Sequence, residues 1–541
     1  MASHLSILAV LIISLSSAAA RPPPAALDQA CRATRFTDIC LRTLTSGPAA
    51  DLVNPTALQI LDAAISVPTA NLEKVQDQLR TTLDTSAGNL NRTNIARNCL
   101  EMLEGSAYRA GLAAEALRSG AGDGVVHDAV AWMSGAVHFQ YASWSALSYV
   151  NDTAQVVETM ALLNDTLSQS SNALSMVAAL GAYGDDTSAW APLKTERDGF
   201  WGRPRGGSPA GPVTGGVPRG LSVSATVGKG NPGGGGGRVF ETIQQAVDAA
   251  PSDGKEKFVV LIKAGVYSGT VRVPLHKTNL VFIGEGAGKT VITGSSAIGA
   301  GVTTYNTATL GVMGDGFRMS GVTVQNTAGS DAQQAVAFRS SSDRSVVEEC
   351  EFLGNQDTLH VDAMRQFYRS CRIEGNVDFI FGNAAAVFHN CTVLVRPRQG
   401  RPEASEKNVV SANGRVDPAQ ATGIVFDGCS IDGTREYMGL QAANPKAHRG
   451  FLGRPWKEYA RTVFINCSLG PMIDPEGWLP WKEDFALQTL FCGEFGNSGA
   501  GANPAGRVPW SSRIPAEHVG AYAVEAFIQG DRWIPSPSSA S

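Results

Sequence analysis

Basic clusters are the first thing this chain lacks. Lys and Arg number 44 against 49 Asp and Glu, charged residues make up 17%, and the formal net charge is -5. Without a polybasic run, nucleic-acid binding has no electrostatic footprint. A second long apolar run is also missing: only residues 5–20, LSILAVLIISLSSAAA, are continuously apolar, and that run is short for a membrane span. No C-x-x-C occurs and the eight His are scattered. Zinc therefore has no ligand pattern, and neither a metal nor a cofactor is expected.

The apolar run ends in Ala18 and Ala20, an A-x-A cleavage pattern, so residues 1–20 read as a signal peptide and the mature protein as secreted and free of membrane. Secretion makes disulfides reasonable, and nine cysteines leave at least one unpaired within the chain. Asn91, Asn151, Asn164, Asn390 and Asn466 each open an N-x-S/T sequon.

Residues 27–182 carry apolar positions at three- and four-residue spacing, as in NCLEMLEGSAYRAGLAAEALRS, which predicts an all-α four-helix bundle. Cys31 and Cys40, nine residues apart, are placed to staple a short hairpin there. Residues 183–237 are a Gly/Pro-rich linker in which Arg203 and Arg205 offer a processing site. From 238 to 535 the chain changes to short β-rich runs (NLVFIGEG, VVEECEF, QFYRSCRI, AVFHNCTVLV), led by one helix-like piece, FETIQQAVDAAP. Parallel strands need crossovers, usually helical. Here the joints are loops, so a right-handed parallel β-helix is predicted, with the leading helix capping one end.

Within that region a period near 21 stands out. Asp357 and Asp378 are 21 apart, as are Cys350 and Cys371, with Cys391 following 20 later and Gln334 preceding Gln356 by 22. Rungs of a coil stack about 4.8 Å apart, so the two carboxylates become neighbours. Asp378 also sits among Val377, Phe379, Ile380 and Phe381, company in which an unpaired charge is expensive. Paired carboxylates repel, their pKa values separate, and one serves as nucleophile while the other donates a proton. Arg454, in FLGRPW, is the candidate cation, and Gln334 and Gln356 are candidate amide donors to an oxyanion. Cys350, Cys371, Cys391 and Cys429 read as a disulfide or packing ladder.

These residues resemble the plant pectin methylesterases (pectinesterases). The resemblance runs from about 239 to 535 through GNQDTL, GNVDFIFGNA, QQAVAFR, FLGRPWKEYARTV and GWLPW, in the family's order. It implies Asp378 as nucleophile, Asp357 as proton donor and then base, and Gln356 as transition-state stabiliser assisted by Gln334. It also implies substrate contacts at Thr304, Gln334, Arg454 and Trp456. The implied activity is demethylesterification of homogalacturonan to pectate and methanol in the cell wall. The bundle is similar to the pectin methylesterase inhibitor domain, which implies intramolecular restraint, a Cys31–Cys40 bridge, and Cys99 without its usual partner because Ser143 stands there. Asn355, His360 and Gly269 depart from the family pattern, as does SANGR, and the first two predict a weaker grip on sugar. A pectate lyase or polygalacturonase is the other β-helix enzyme class, but no acidic calcium cluster lies near Asp357. A catalytically weak pectin-binding or inhibitory wall protein is the non-enzymatic alternative.

Overall fold

The computed structural model describes residues 24–46, 53–200, 215–218, 220–228, 237–299, 301–398 and 406–535. The expected signal peptide and processing site, residues 1–20 and Arg203 and Arg205, lie outside them. Among the described residues no helix is long and apolar enough to cross a membrane.

The N-terminal part is a bundle of four long helices, α3 (Ala57–Thr85), α4 (Leu90–Arg118), α5 (Asp123–Leu147) and α6 (Ala154–Tyr183), preceded by short α1 (Ala25–Arg32) and α2 (Thr37–Thr45). Local chemistry sets its boundaries. Thr56 and Gln59 form a capping box ahead of α3, Asn89 and Thr153 cap α4 and α6, and Gly184 (φ 80°) ends α6. The Cys31–Cys40 disulfide joins α1 to α2. α5 buries Ala129, Met133, Ala136 and Val137 together with polar Asp128, Ser134, His138 and Gln140. A helix buried on more than one face is internal to its assembly, and α5 is internal because it lies between the bundle and the second domain.

That domain is a right-handed parallel β-helix whose strands form sheets of twelve, eight and seven, every named pairing parallel. The helix Ile243–Ala249 buries Ile243, Ala246 and Val247 at the start of the coil, where capping covers exposed strand edges. Inward positions carry stacked rings, Tyr368–Phe388 at 4.6 Å, Phe388–Phe426 at 5.1 Å and Phe426–Phe464 at 4.4 Å.

Cysteines form a second internal ladder, and one expectation is corrected here. Cys350, Cys371, Cys391, Cys429 and Cys467 are all buried and free, so Cys350 and Cys371 make no disulfide. Each thiol contacts a backbone carbonyl, Cys350 that of Glu348 at 3.2 Å and Cys371 that of Arg369 at 3.4 Å. Residues equivalent on parallel rungs project their Cβ atoms in the same direction, whereas a disulfide needs them to converge. The ladder is one of packing.

The seven-stranded sheet positions the site. Its pairings Gly311↔Arg339↔His360↔Phe381↔Ala412↔Arg454 define a row across its outer face, while Phe338, Leu359 and Ile380 point into the core. The bundle docks on the turns that follow these strands. Arg109 forks Asp315 (2.5 and 2.6 Å), Trp132 donates to Asp343 (3.1 Å), His138 meets Asp362 (2.9 Å) and Ser171 donates to Asp417 (2.5 Å). Asp128 reverses the polarity, accepting from Arg344 and Arg365.

Candidate active site

Asp357 and Asp378 each stand two residues before a strand of the seven-stranded sheet, Leu359–Val361 and Ile380–Gly382. The Leu359↔Ile380 pairing puts them on adjacent rungs in register. Both adopt left-handed backbone conformations (φ 62° and 48°), a region aspartate tolerates better than most residues. The turn is held by the Asp357 N–H donating to the Val377 carbonyl (3.1 Å) and Leu359 N–H to Phe379 (2.8 Å).

Arg454 reaches Asp378 in a two-pronged fork, Nε to Oδ1 at 2.8 Å and Nη2 to Oδ2 at 2.5 Å. Its guanidinium also lies 4.4 Å from the Trp481 ring, so the cation is clamped between carboxylate and indole. No protein group among the described residues hydrogen-bonds the Asp357 carboxyl. The two acids therefore differ. Burial, then the charge of Asp378, pushes Asp357 well above the usual carboxylate range, with Arg454 acting weakly the other way. Burial also raises Asp378, but the hydrogen bonds and charge of Arg454, and then Arg398, hold that rise down. The arrangement favours the proton residing on Asp357 over Asp378.

Gln356 adjoins Asp357 directly. Gln334 lies one rung earlier but is not register-equivalent to it: Gln334 is four residues before Phe338, whereas Gln356 is three before its partner Leu359. The strand register of 21 aligns Gln334 with Asn355, so the spacing of 22 overstated the match. The Gln334 Oε1 is buried without a hydrogen-bond partner. Trp456 packs edge-on against Phe381 at 5.8 Å, beside the sheet floor. Thr304 begins a single helical turn whose neighbours Thr303 and Asn306 bond to Asn98 of α4 (both 2.7 Å). That turn packs against the segment between Gln334 and the strand Phe338–Ser340, through Val336 N–H to Thr307 Oγ1 at 3.0 Å.

Three side chains about the site were given no role from the sequence. Trp481 is the last residue of GWLPW, a motif whose order signalled the family and not its cation–π role. Arg398 hydrogen-bonds the Lys407 carbonyl (3.3 Å), and no local pattern ties it to Asp378. Phe381 is the outward residue of FIFG; His360 stacks on it at 4.2 Å and 8°. His360 is thus part of the sheet floor, 6% exposed, with Nε2 3.2 Å from Asp362. Burial lowers His360, while His360 and His138 hold Asp362 well below the usual carboxylate range despite its burial. Asn355 lines a polar cavity of about 250 Å³ with Asn326, Glu374 and Arg396. Among the described residues no group of three or more His, Cys, Asp or Glu is arranged to hold a metal ion.

Comparison with known proteins places these features in a lineage. Residues 232–531 match the pectinesterase family and residues 25–176 the plant invertase/pectin methylesterase inhibitor family. An Arabidopsis thaliana protein described as probable pectinesterase/pectinesterase inhibitor 64 is 51% identical over 512 residues, covering 93% of this chain and 83% of that one. The structure of pectin methylesterase from carrot is similar at 42% identity and TM-score 0.54, over 57% of this chain and 94% of that one. That of the Aspergillus niger pectin methylesterase in deglycosylated form is similar at 26% and 0.50, over 59% and 99%. The chain belongs to the pectinesterase family, with an inhibitor-family bundle fused ahead of its β-helix.

Proposed function

We propose that the protein is a carboxylic ester hydrolase that demethylesterifies homogalacturonan in the plant cell wall, with residues 238–535 as the catalytic unit. The observation that carries the residue roles is the asymmetry of the two acids: the Asp378 carboxylate is forked by Arg454, and the Asp357 carboxyl is buried without a hydrogen bond among the described residues. Asp378 attacks the ester carbonyl carbon, and the electron pair moves to an oxyanion facing the amides of Gln356 and Gln334. Collapse of that intermediate breaks the bond to the methoxyl oxygen, which leaves as methanol with the proton of Asp357. Asp357, now ionised, takes a proton from water as the water attacks the acyl-enzyme, and Asp378 is released as carboxylate. Trp456 and Trp481 supply ring faces suited to the C–H faces of sugars.

The decisive experiment measures methanol release from esterified pectin by the full chain beside Asp378→Ala and Asp357→Asn. Loss of release in both variants, with retained thermal unfolding, supports the roles; release by Asp378→Ala at the wild-type rate refutes them.

The bundle is read as a restraint on this activity, because it contacts both rims of the sheet face. Asn98 bonds the 303–306 turn, and Lys457, next to Trp456, lies 5.0 Å from the Tyr141 ring of α5. Weakening the docking face by Asp315→Asn is then expected to raise methanol release; unchanged release refutes the restraint. Residues 1–20 are read as a secretion signal and the mature protein as extracellular, a reading supported by the match to the plant pectinesterase and inhibitor families.

A further inference from the structure

After α6 the chain does not leave the molecule at once. Trp190 is buried and packs into the bundle core, its Nε1 donating to the Gly184 carbonyl at 2.8 Å. A few residues on, the turn Glu196–Asp198 lies on the β-helix. Glu196 enters a slot between two arginines of the β-helix, with Arg461 at 2.7 Å and Arg415 at 4.0 Å, and the Tyr522 hydroxyl donates to it at 3.5 Å. All three charged side chains are nearly dry: Glu196 is 8% exposed, Arg415 3% and Arg461 11%. Next to it Arg197 donates to the carbonyls of Leu487 and Trp510, both at 3.1 Å. Residues 190–197 therefore grip the bundle at one end and the β-helix at the other.

The slot needs its carboxylate. Burial and the like charge of Arg461 pull Arg415 down to about 9, with Glu196 and Asp417 opposing. Two guanidinium groups in one dry site repel, and taking away the anion between them leaves uncompensated buried charge. The rest of the docking face is equally close-fitting. Gly135 of α5 lies so near Met364 that a Cβ there would fall 2.3 Å from its sulfur. Arg109 and Arg365 are fully buried in pairs with Asp315 and with Asp343 and Asp128.

We propose that the bundle is a retained subunit: severing the chain beyond residue 200 leaves residues 24–200 docked on the β-helix, keyed by Glu196 in the Arg415–Arg461 slot. The partner that fits this surface is the protein's own N-terminal part. Cutting alone then does not uncover the sheet face, and separation of the two parts is the step that does. The readout is physical association, so its outcome is independent of whether the ester-hydrolase reading holds.

The test places a site-specific protease recognition sequence at residues 204–210 of the full chain and cuts it to completion. Size-exclusion at micromolar protein and about 0.15 M salt should give one peak containing both fragments. Two separate peaks overturn the proposal. Glu196→Gln, equal in size but uncharged, should weaken the cut complex about a hundredfold, the scale of an unpaired buried charge. Arg197→Ala, which strands no charge, should weaken it about tenfold and keeps the test open if the first variant folds poorly. Association unaffected by either substitution overturns the role of the clip.

Discussion

Arg454→Ala is the perturbation that separates two ways a cation can serve this site. In the structure its guanidinium holds both oxygens of Asp378 at 2.8 and 2.5 Å while being only a quarter exposed itself. An opposite charge at this range lowers a carboxyl by about 1–3 pKa units, and each unit is about 1.4 kcal/mol, or tenfold in ionised fraction. Without Arg454 only burial and the weaker field of Arg398 act on Asp378. Its pKa rises, and because attack needs the carboxylate, the acid limb of the kcat/KM profile moves up by about 1–3 pH units. The basic limb, which reports loss of the Asp357 proton, moves up less, since Arg454 is the smallest influence on that group. The two limbs belong to the coupled pair, so it is their separation that narrows. Methanol release measured across pH for wild type, Arg454→Ala and Arg454→Lys reads this directly, with the Lys variant falling between. A uniform drop at every pH with both limbs unmoved would refute the reasoning and leave Arg454 as a substrate contact only.

Other perturbations test other parts of the argument. Asp357 is a carboxyl whose native pKa exceeds its unfolded one, so its penalty is absent below about pH 3.9 and grows as pH rises toward the native value. Asp357→Asn should therefore raise Tm at neutral pH but not near pH 3, and an unchanged difference between the two would exclude the buried charge as the cause. Arg109→Ala should lower the unfolding free energy by about 3 kcal/mol, since it breaks a fork made by a fully buried guanidinium; a loss under about 0.5 kcal/mol would mark it as an ordinary surface pair. Ser143→Cys should bond to Cys99, whose thiol already lies 3.5 Å from the Ser143 carbonyl across 44 residues of chain. A loop of that size predicts about 4 kcal/mol of stabilisation and the disappearance of the Cys99 thiol from alkylation assays. A thiol that stays reactive would show that the two helices do not bring the side chains together.

Much of the candidate site was legible because its geometry is periodic. A parallel coil repeats its backbone rung by rung, so a separation of 21 residues in the chain becomes a separation of one strand spacing, and Asp357 and Asp378 meet. Arg454 was reachable too, as the one cation in FLGRPW. The same regularity misled where the turns were irregular. Gln334 and Gln356 occupy different positions relative to their strands, and Gln333 rather than Gln334 takes the positive φ in its turn. Periodicity also placed Cys350 and Cys371 side by side without saying whether their Cβ atoms converge.

By itself, then, the order of residues determined what repeats and what is local: the coil, its stacked acids, the helical spacing of the bundle, its caps, and the nine-residue Cys31–Cys40 loop. Tertiary structure alone decided what has no period. The seating of α4 and α5 on Asp315, Asp343 and Asp362, the stacking of His360 on Phe381, the clamp of Trp481 on Arg454, and the burial of Glu196 between Arg415 and Arg461 all join residues tens to hundreds of positions apart. Such contacts are selected by shape and by the need to pair charges removed from water, and a single chain read in order carries no signal of which distant groups will share one dry site.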